Sequence, residues 1–324
     1  MDSLLRLLAI HGGQRRTDLC RALGITAQAL ETRLAALRAE GYVLDAEAEH
    51  IALRPQADVL LPGYVLLGLH AAHYGRGEML YAPEMDSTNT QLKQAAMARA
   101  LPDGSLAFCG RQTAGRGRMQ RVWEDPQAGQ SLTCSLLLRP TLPQERLHLI
   151  TLAAALAAAQ ALMDAGADAR IKWPNDVVIA GRKCVGILSE LVFDPVGAPC
   201  IVTGTGFNVN QTVFAHELAD KATSLRLSIG RPADRVRLLQ AYLEHMEHAV
   251  ATLEAGGLPA LLPAYRARSV TLDARVQVIG AAETFVGVAE AMDEEGALLV
   301  RCEDGALRRV LSGDVSVRGV MGYV

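Results

Sequence analysis

Aromatic residues make up only 4% of the 324-residue sequence, and just two of them are tryptophans. Each large ring therefore has to be explained by its place in the chain. The six cysteines, Cys20, Cys109, Cys134, Cys184, Cys200 and Cys302, are scattered with no C-x-x-C spacing, which argues for reduced thiols and against a zinc site or a disulfide framework. Cys184, beside Lys183, is expected to be strand filler and not a nucleophile. Charge of one sign is lacking as well. A net charge of −3 gives no reason to expect polyanion binding from the total. The longest apolar run, 149–163, is alanine-rich and stops at Asp164-Ala165-Gly166, which predicts a buried helix of about fifteen residues, too short to span a bilayer. No signal-peptide pattern opens the chain, and no internal repeat or low-complexity tract competes with a globular layout. The expectation is a soluble cytoplasmic protein of two or three domains.

Against that sparse background three segments concentrate chemistry. Residues 110–129, GRQTAGRGRMQRVWEDPQAG, combine glycines, fixed positive charges and Trp123 in a stretch that reads as neither helix nor strand. Gly115 and Gly117 let backbone N–H groups approach phosphate oxygens, Arg116, Arg118 and Arg121 add forked donors, and Trp123 offers a flat face for a nucleobase. A solvated basic loop anchored by its tryptophan would have the same composition. Residues 170–188, RIKWPNDVVIAGRKCVGIL, read as a hairpin around Pro174-Asn175-Asp176. Turn chemistry alone accounts for those three residues. It does not account for Lys172 and Lys183, which sit among apolar neighbours where an ammonium without an anion is costly. Upstream, MDSTNTQL from Met85 predicts a loop entering a helix with Ser87 or Thr88 as N-cap.

These segments, in this order, resemble the biotin protein ligases. The resemblance rests on Gly115 to Arg118 with Arg121, on Lys172 to Asp176 with Lys183 and Gly186 to Leu188, and on Asp86 to Asn89. Gly204 to Asn210 (GTGFNVN) and Ala222 to Leu225 (ATSL) extend it. It covers the whole chain in the layout of the bifunctional ligases that also repress the biotin operon. Gln120 departs from the pattern, standing where many relatives carry glycine.

The resemblance implies a two-step reaction in which biotin and ATP, with Mg²⁺ on the phosphates, give biotinyl-5′-AMP, and the biotin then passes to a lysine of a biotin carboxyl carrier protein. It implies catalytic roles for Lys183, Arg118 and Asp176, the metal ligands staying unassigned. The biotin pocket is expected to draw on Ser87, Thr88, Asn89, Gln112, Gly115, Arg116, Gly117, Arg118, Lys183, Gly186, Gly204 and Gly206. The nucleotide is expected at Arg118, Arg121, Trp123, Lys172, Asn175 and Asn208. For Gly186, Gly204 and Gly206 a bulge or turn is the competing explanation, and Asn175, Asp176 and Asn208 fit nucleotide binding, metal binding or the orientation of Lys183.

The expected fold class is α+β: an N-terminal winged helix-turn-helix over 1–60, a central mixed-sheet domain of the class II synthetase and biotin ligase type over 61–270, and a C-terminal SH3-like β-barrel over 271–324. Hydrophobic pattern alone gives α+β for the centre, with a long amphipathic helix over 235–253, and a small barrel of short alternating strands over 274–279, 284–289, 297–302, 307–311 and 315–318 for the end, while residues 54–58 read as the linker between the first two parts. At the start it predicts three helices, the second capped by Thr17 and the third by Thr26, with Thr26, Gln28, Thr32 and Arg33 as DNA-binding candidates. Residues 1–43 carry six arginines against four acids, and the wing position reads Asp45-Ala46-Glu47-Ala48-Glu49-His50, whose acids would repel phosphate. The resemblance implies operator DNA and a homodimer in the adenylate-bound state as partners, with no membrane. Two alternatives stand beside this reading: a ligase with a vestigial DNA module, and a lipoate-type ligase or non-catalytic ligand sensor.

Overall fold

The computed structural model describes every residue except 1, 48, 126, 281–282, 313–315 and 320–323, and only the backbone of 316 and 318. Ala48 of the acidic wing and Val315 of the last expected strand thus lie outside the described residues. The chain opens with helix α1 (Ser3–His11), whose first N–H groups donate to the Asp2 carboxylate and whose Leu4, Leu5 and Leu8 are buried. A two-residue strand β1 (Gln14–Arg15) leads into α2 (Arg16–Leu23). Thr17, the expected cap, lies instead inside the first turn of α2. What fixes that helix start is tertiary: the Arg16 N–H donates to the Glu49 carbonyl at 2.8 Å. Gly24, at φ 63°, ends α2, and Thr26 caps α3 (Ala27–Ala39) by accepting the Ala29 N–H, with Leu30, Leu34 and Leu37 facing inward. Strands β2 (Leu44–Ala46) and β3 (His50–Leu53) complete a small antiparallel sheet in the order β1-β3-β2.

A short helix, α4 (Pro62–Leu66), precedes the central part: β4 (Met79–Met85), α5 (Thr88–Ala98), β5 (Leu106–Gln112), β6 (Ser131–Leu138), α6 (Ile150–Asp164), β7 (Ala169–Lys172), β8 (Asp176–Ile179), β9 (Arg182–Phe193), β10 (Pro199–Asn208), α7 (Leu225–Ile229) and α8 (Arg235–Arg266). Seven strands form a mixed sheet in the order β4-β5-β6-β10-β9-β8-β7, with only β4 and β5 parallel. Strand alternation divides its residues between two faces. Leu106, Phe108, Leu136, Leu138 and Ile201 join the large core beneath α6 and α8, whereas Ala107, Leu137, Cys200 and Val202 pack with Leu92 and Ala96 of α5. Helix α6 is longer than its apolar core suggests, because a 3-10 turn over Gln144–Leu149 runs into it. By length and composition the resulting 21 residues suffice to cross a membrane, yet 72% of the 18-residue apolar stretch that meets that test is buried within the protein, against the sheet and α8. The expected amphipathic helix from Arg235 extends to Arg266, bending where Gly257 takes φ 65° ahead of Pro259 and Pro263.

The last part is an antiparallel sheet of β11 (Arg275–Ile279), β12 (Thr284–Met292), β13 (Leu298–Cys302), β14 (Leu307–Val310) and β15 (Ser316–Gly319), in the order β14-β13-β12-β11-β15. Its strands fall within a few residues of those expected.

One hydrophobic cluster runs from Leu4 to Val317 through all three parts. At the first seam two tyrosines exchange roles: Tyr42 Oη accepts the Gly63 N–H at 3.1 Å, and Tyr64 Oη accepts the Val43 N–H at 2.8 Å. Burial pushes the Tyr42 hydroxyl up to about 12, so it stays neutral and keeps this bond across the physiological range. A Cβ at Gly63 would stand 2.6 Å from Leu5 Cδ1 and 2.8 Å from Tyr42 Cε1. Gly63→Ala is therefore expected to destabilise the protein by about 1–3 kcal/mol through overpacking, read from the midpoint of chemical denaturation. An unchanged midpoint would mean the seam is looser than described.

Candidate active site

On the α5 face of the sheet a cavity of about 350 Å³ opens between the strands, residues 110–129 and residues 211–223. That volume is in the range of small-molecule sites. Its floor is almost bare backbone. Gly206 pairs directly with Gly186 across β10 and β9, and Gly204 lies two residues along the same face. A Cβ at Gly206 would come within 2.6 Å of Trp123 Cε2, and one at Gly186 within 3.0 Å of Trp123 Cζ3. The Trp123 indole therefore lies flat across the glycine pair, a placement any side chain there would forbid. Gly204 is bare for a different neighbour, the Asn89 amide.

The loop that carries Trp123 is more regular than its composition implies. Arg116 bridges Val122, the Gly117 N–H donates to the Arg121 carbonyl at 2.7 Å, and the Trp123 N–H donates to the Gly115 carbonyl at 3.0 Å. The result is a miniature hairpin around a 3-10 turn at Arg118–Gln120, not an irregular wrap. Gln120 sits at φ 58° within that turn, left-handed backbone of the kind that glycine adopts most readily. Gly115 does not line the cavity. It is bare because a Cβ would meet the Trp123 carbonyl and the Gln112 amide.

Lys183 faces the cavity because of a β-bulge. The β8–β9 register slips between Val177 and Val178, so that Val185 pairs with Val177 but Lys183 with Val178. The extra residue, Cys184, lets Lys183 and Gly186 line the same cavity although they are three apart. Cys184 points into the core, and burial pushes its thiol up to about 12, consistent with an inert filler. The anion that meets Lys183 comes from its own hairpin, with Nζ 2.6 Å from Asp176 Oδ1. Arg118 donates to the Asn175 side-chain oxygen at 3.0 Å and to the Ser312 carbonyl, tying the loop to the turn and to the C-terminal part. Six cations, Arg116, Arg118, Arg121, Lys172, Lys183 and Lys221, line the cavity with two carboxylates, Glu124 and Asp176. A chain of net charge −3 thus places a strong positive excess at one spot.

Away from the cations the lining is neutral and hydrogen-bonded. Ser87 caps α5 through the Thr90 N–H. Gln112 Oε1 accepts both the Thr88 N–H (2.7 Å) and the Thr88 hydroxyl (3.1 Å), the Ser135 hydroxyl reaches Thr88 Oγ1 and Asn89 Oδ1, and Asn89 Nδ2 donates to Glu190. Thr88 itself does not line the cavity, so any influence it has runs through Gln112. Every other residue expected at the ligand site, apart from Gly115, lines it.

Sequence reasoning missed part of the wall: Gln211, Val213, Phe214, Ala215, Leu218 and Lys221. One signal was available, a rare phenylalanine in a polar connection following GTGFNVN. The same segment supports Lys183, whose N–H donates to the Lys221 carbonyl at 2.7 Å while its carbonyl accepts the Thr223 N–H at 2.9 Å. Among the described residues no group of three or more His, Cys, Asp or Glu side chains could hold a metal ion.

The floor predicts a simple optical result. Gly206→Val should eject the indole and shift tryptophan emission to the red, since the second tryptophan, Trp173, is buried and constant. Emission unchanged from the parent would place Trp123 elsewhere.

Comparison with known proteins adds to this geometry. The model of the biotin/lipoate A/B protein ligase family matches residues 81–208, and that of the biotin protein ligase C-terminal domain matches 271–318. A bifunctional ligase/repressor BirA of Bacillus subtilis (strain 168) is 32% identical over 309 residues, covering 94% of this chain and 93% of the relative. A biotin–[acetyl-CoA-carboxylase] ligase of Mycobacterium tuberculosis is 34% identical over 271 residues, covering 81% and 96%. Among solved structures, the biotin protein ligase from Aquifex aeolicus in complex with biotin and ATP matches with a TM-score of 0.66 at 28% identity, over 75% of this chain and 99% of that one. The chain belongs to the biotin protein ligase family.

Proposed function

We propose that this ligase activates biotin with ATP to biotinyl-5′-AMP and passes the biotin to a lysine of a biotin carboxyl carrier protein. The observation that carries the reading is one cavity in which a bare glycine floor meets a neutral hydrogen-bonded end and a cationic wall. A carboxylate attacking the α-phosphorus of a triphosphate must overcome repulsion between two anions, and preorganised positive charge lowers that barrier. Lys183, which Asp176 and the 221–223 segment hold at the cavity, lies between carboxylate and phosphate in this reading. Arg118 clamps the phosphate while fastening the loop to Asn175, and Arg121 and Lys172 neutralise the remaining oxygens. Gln112, Ser87 and Asn89 supply neutral partners to the ureido ring. Trp123 serves as the stacking face for the base. The short hairpin of the loop shields the mixed anhydride from water. No cluster among the described residues would hold magnesium by itself; brought in with the nucleotide, it would add charge neutralisation beside Arg118, Arg121 and Lys172.

Mg-ATP with biotin should release pyrophosphate, and a carrier domain added afterwards should take up the label on lysine. Biotin bound without pyrophosphate release would make the chain a ligand sensor. Lys183→Ala is expected to slow adenylate formation on the order of 10²–10³-fold, the scale for losing one preorganised charge. Arg118→Ala should form adenylate but lose it to solvent. Identical effects of the two on formation and retention would contradict this division of labour.

We also propose that residues 1–60 form a winged helix-turn-helix module through which an adenylate-bound homodimer represses at operator DNA. Gln28, Thr32, Arg33 and Arg38 lie on α3 outside its buried Leu30-Leu34-Leu37 stripe, which supports a reading face. Arg33 donates to Ser3, and the Thr32 hydroxyl turns back to the Gln28 carbonyl. The acidic wing is less repulsive than its sequence implies, because Asp45 pairs with Arg54. Of the other basic residues, however, Arg15 and Arg21 share Asp18, and Arg16 pairs with Glu31. Gel-shift titration on the chain's own operator should give adenylate-dependent binding that weakens steeply with salt. Binding that is weak and indifferent to adenylate would leave a ligase with a vestigial module. A cytoplasmic location completes this reading.

A further inference from the structure

Asp125 has no part in the chemistry above, yet it is 6% exposed and sits where the loop rejoins the sheet. Its Oδ2 accepts the Gln112 N–H at 3.0 Å. Gln112 in turn fixes Thr88 through two hydrogen bonds and thereby the polar network around Ser135 and Asn89. The other carboxylate oxygen of Asp125, Oδ1, is buried near Ser131 and accepts no hydrogen bond among the described residues. Ser131 Oγ accepts from Gln211 Nε2 at 2.6 Å, and the same amide reaches Asn208 Oδ1 at 3.4 Å. We propose that Asp125 is a positioning residue that fixes the biotin end of the site through Gln112, whereas Ser131 holds Gln211 at the nucleotide end independently of it. Burial raises the Asp125 pKa, with the Gln112 N–H, Ser131 and the charges of Arg111 and Arg235 opposing that rise, so several neighbours are arranged to keep a costly group in place.

Because Asp125 lies two residues after Trp123, it also locks the loop's exit to its start, a geometry that Gly129 N–H to Gly110 carbonyl (3.2 Å) continues. A group acting only as loop filler would affect both ligands alike in every variant. The wiring predicts a split instead. The inference rests on the ligase reading, and equilibrium binding separates the two, since it needs no turnover.

The test is calorimetric titration of the full chain with biotin alone and with ATP alone. Asp125→Ala should weaken biotin roughly five- to tenfold, the size expected for losing a hydrogen bond to a charged group, and leave ATP unchanged. Ser131→Ala should do the opposite, weakening ATP and leaving biotin unchanged. Asp125→Asn, whose carbonyl oxygen still accepts the Gln112 N–H, should recover biotin affinity. If Asp125→Ala does not fold, Asp125→Val carries the same expectation. Unchanged biotin affinity, or equal losses for both ligands, in the Asp125 variant that lacks the acceptor overturns the proposal. A parent chain that binds neither biotin nor ATP overturns the ligase reading beneath it.

Discussion

The site depends on one packing constraint: two strands meet at a pair of glycines, so that a flat ring can lie against backbone. Gly186 and Gly206 are cross-strand partners, which puts both bare positions on the same face at the same level. That juxtaposition holds only while the β9–β10 register holds, because a one-residue slip would turn a side chain onto the floor. Nine paired positions secure it, and Val185, next to Gly186, is buried on the opposite face. Phe207 is buried on the opposite face, where Tyr242 of α8 meets it edge-on with ring centroids 5.4 Å apart. The core beneath the sheet and the cavity floor above it are thus consequences of one alternation.

Charge obeys the same economy. Lys183 is aimed by a bulge, paired to Asp176, and anchored by main-chain bonds on both sides, so its position is set before any anion arrives. Preorganisation of this kind matters more than the amount of charge, because a cation that must be recruited at the moment of reaction costs reorganisation. The Asp176 partner has a second effect. It compensates the ammonium in the absence of ligand, which resolves the difficulty of placing a lysine among apolar neighbours.

Much of the site could be read from the sequence because its parts are residue types with sharp physical roles. Glycines at Gly186, Gly204 and Gly206, arginines around Gly117 and the Lys172–Asp176 turn stand out as points, and the structure gathers them in one cavity. What escaped detection was relational. The anion opposite Lys183 lies seven residues away in sequence but depends on hairpin register. The α2 start depends on a carbonyl from the far wing, which no local propensity encodes. The hairpin inside residues 110–129 forms in a segment whose composition favours no strand. The 211–223 wall consists of ordinary residues whose importance arises from where β10 delivers them.

The seam between the first helices and the sheet follows a similar logic. The Tyr42 and Tyr64 hydroxyls each accept a backbone N–H from beside the other ring, and the rings themselves lie 5.3 Å apart. Nearby, the buried Arg235 side chain donates to the Asp58 carboxylate at 2.7 Å and to its carbonyl at 3.0 Å, holding the linker onto the start of α8. Arg235 also bears electrostatically on Asp125, the carboxylate at the loop's exit. Separating the two parts as rigid bodies would unpair buried N–H groups and strip a buried guanidinium of its anion, each a multi-kilocalorie penalty. A free hinge at this linker is therefore the wrong picture.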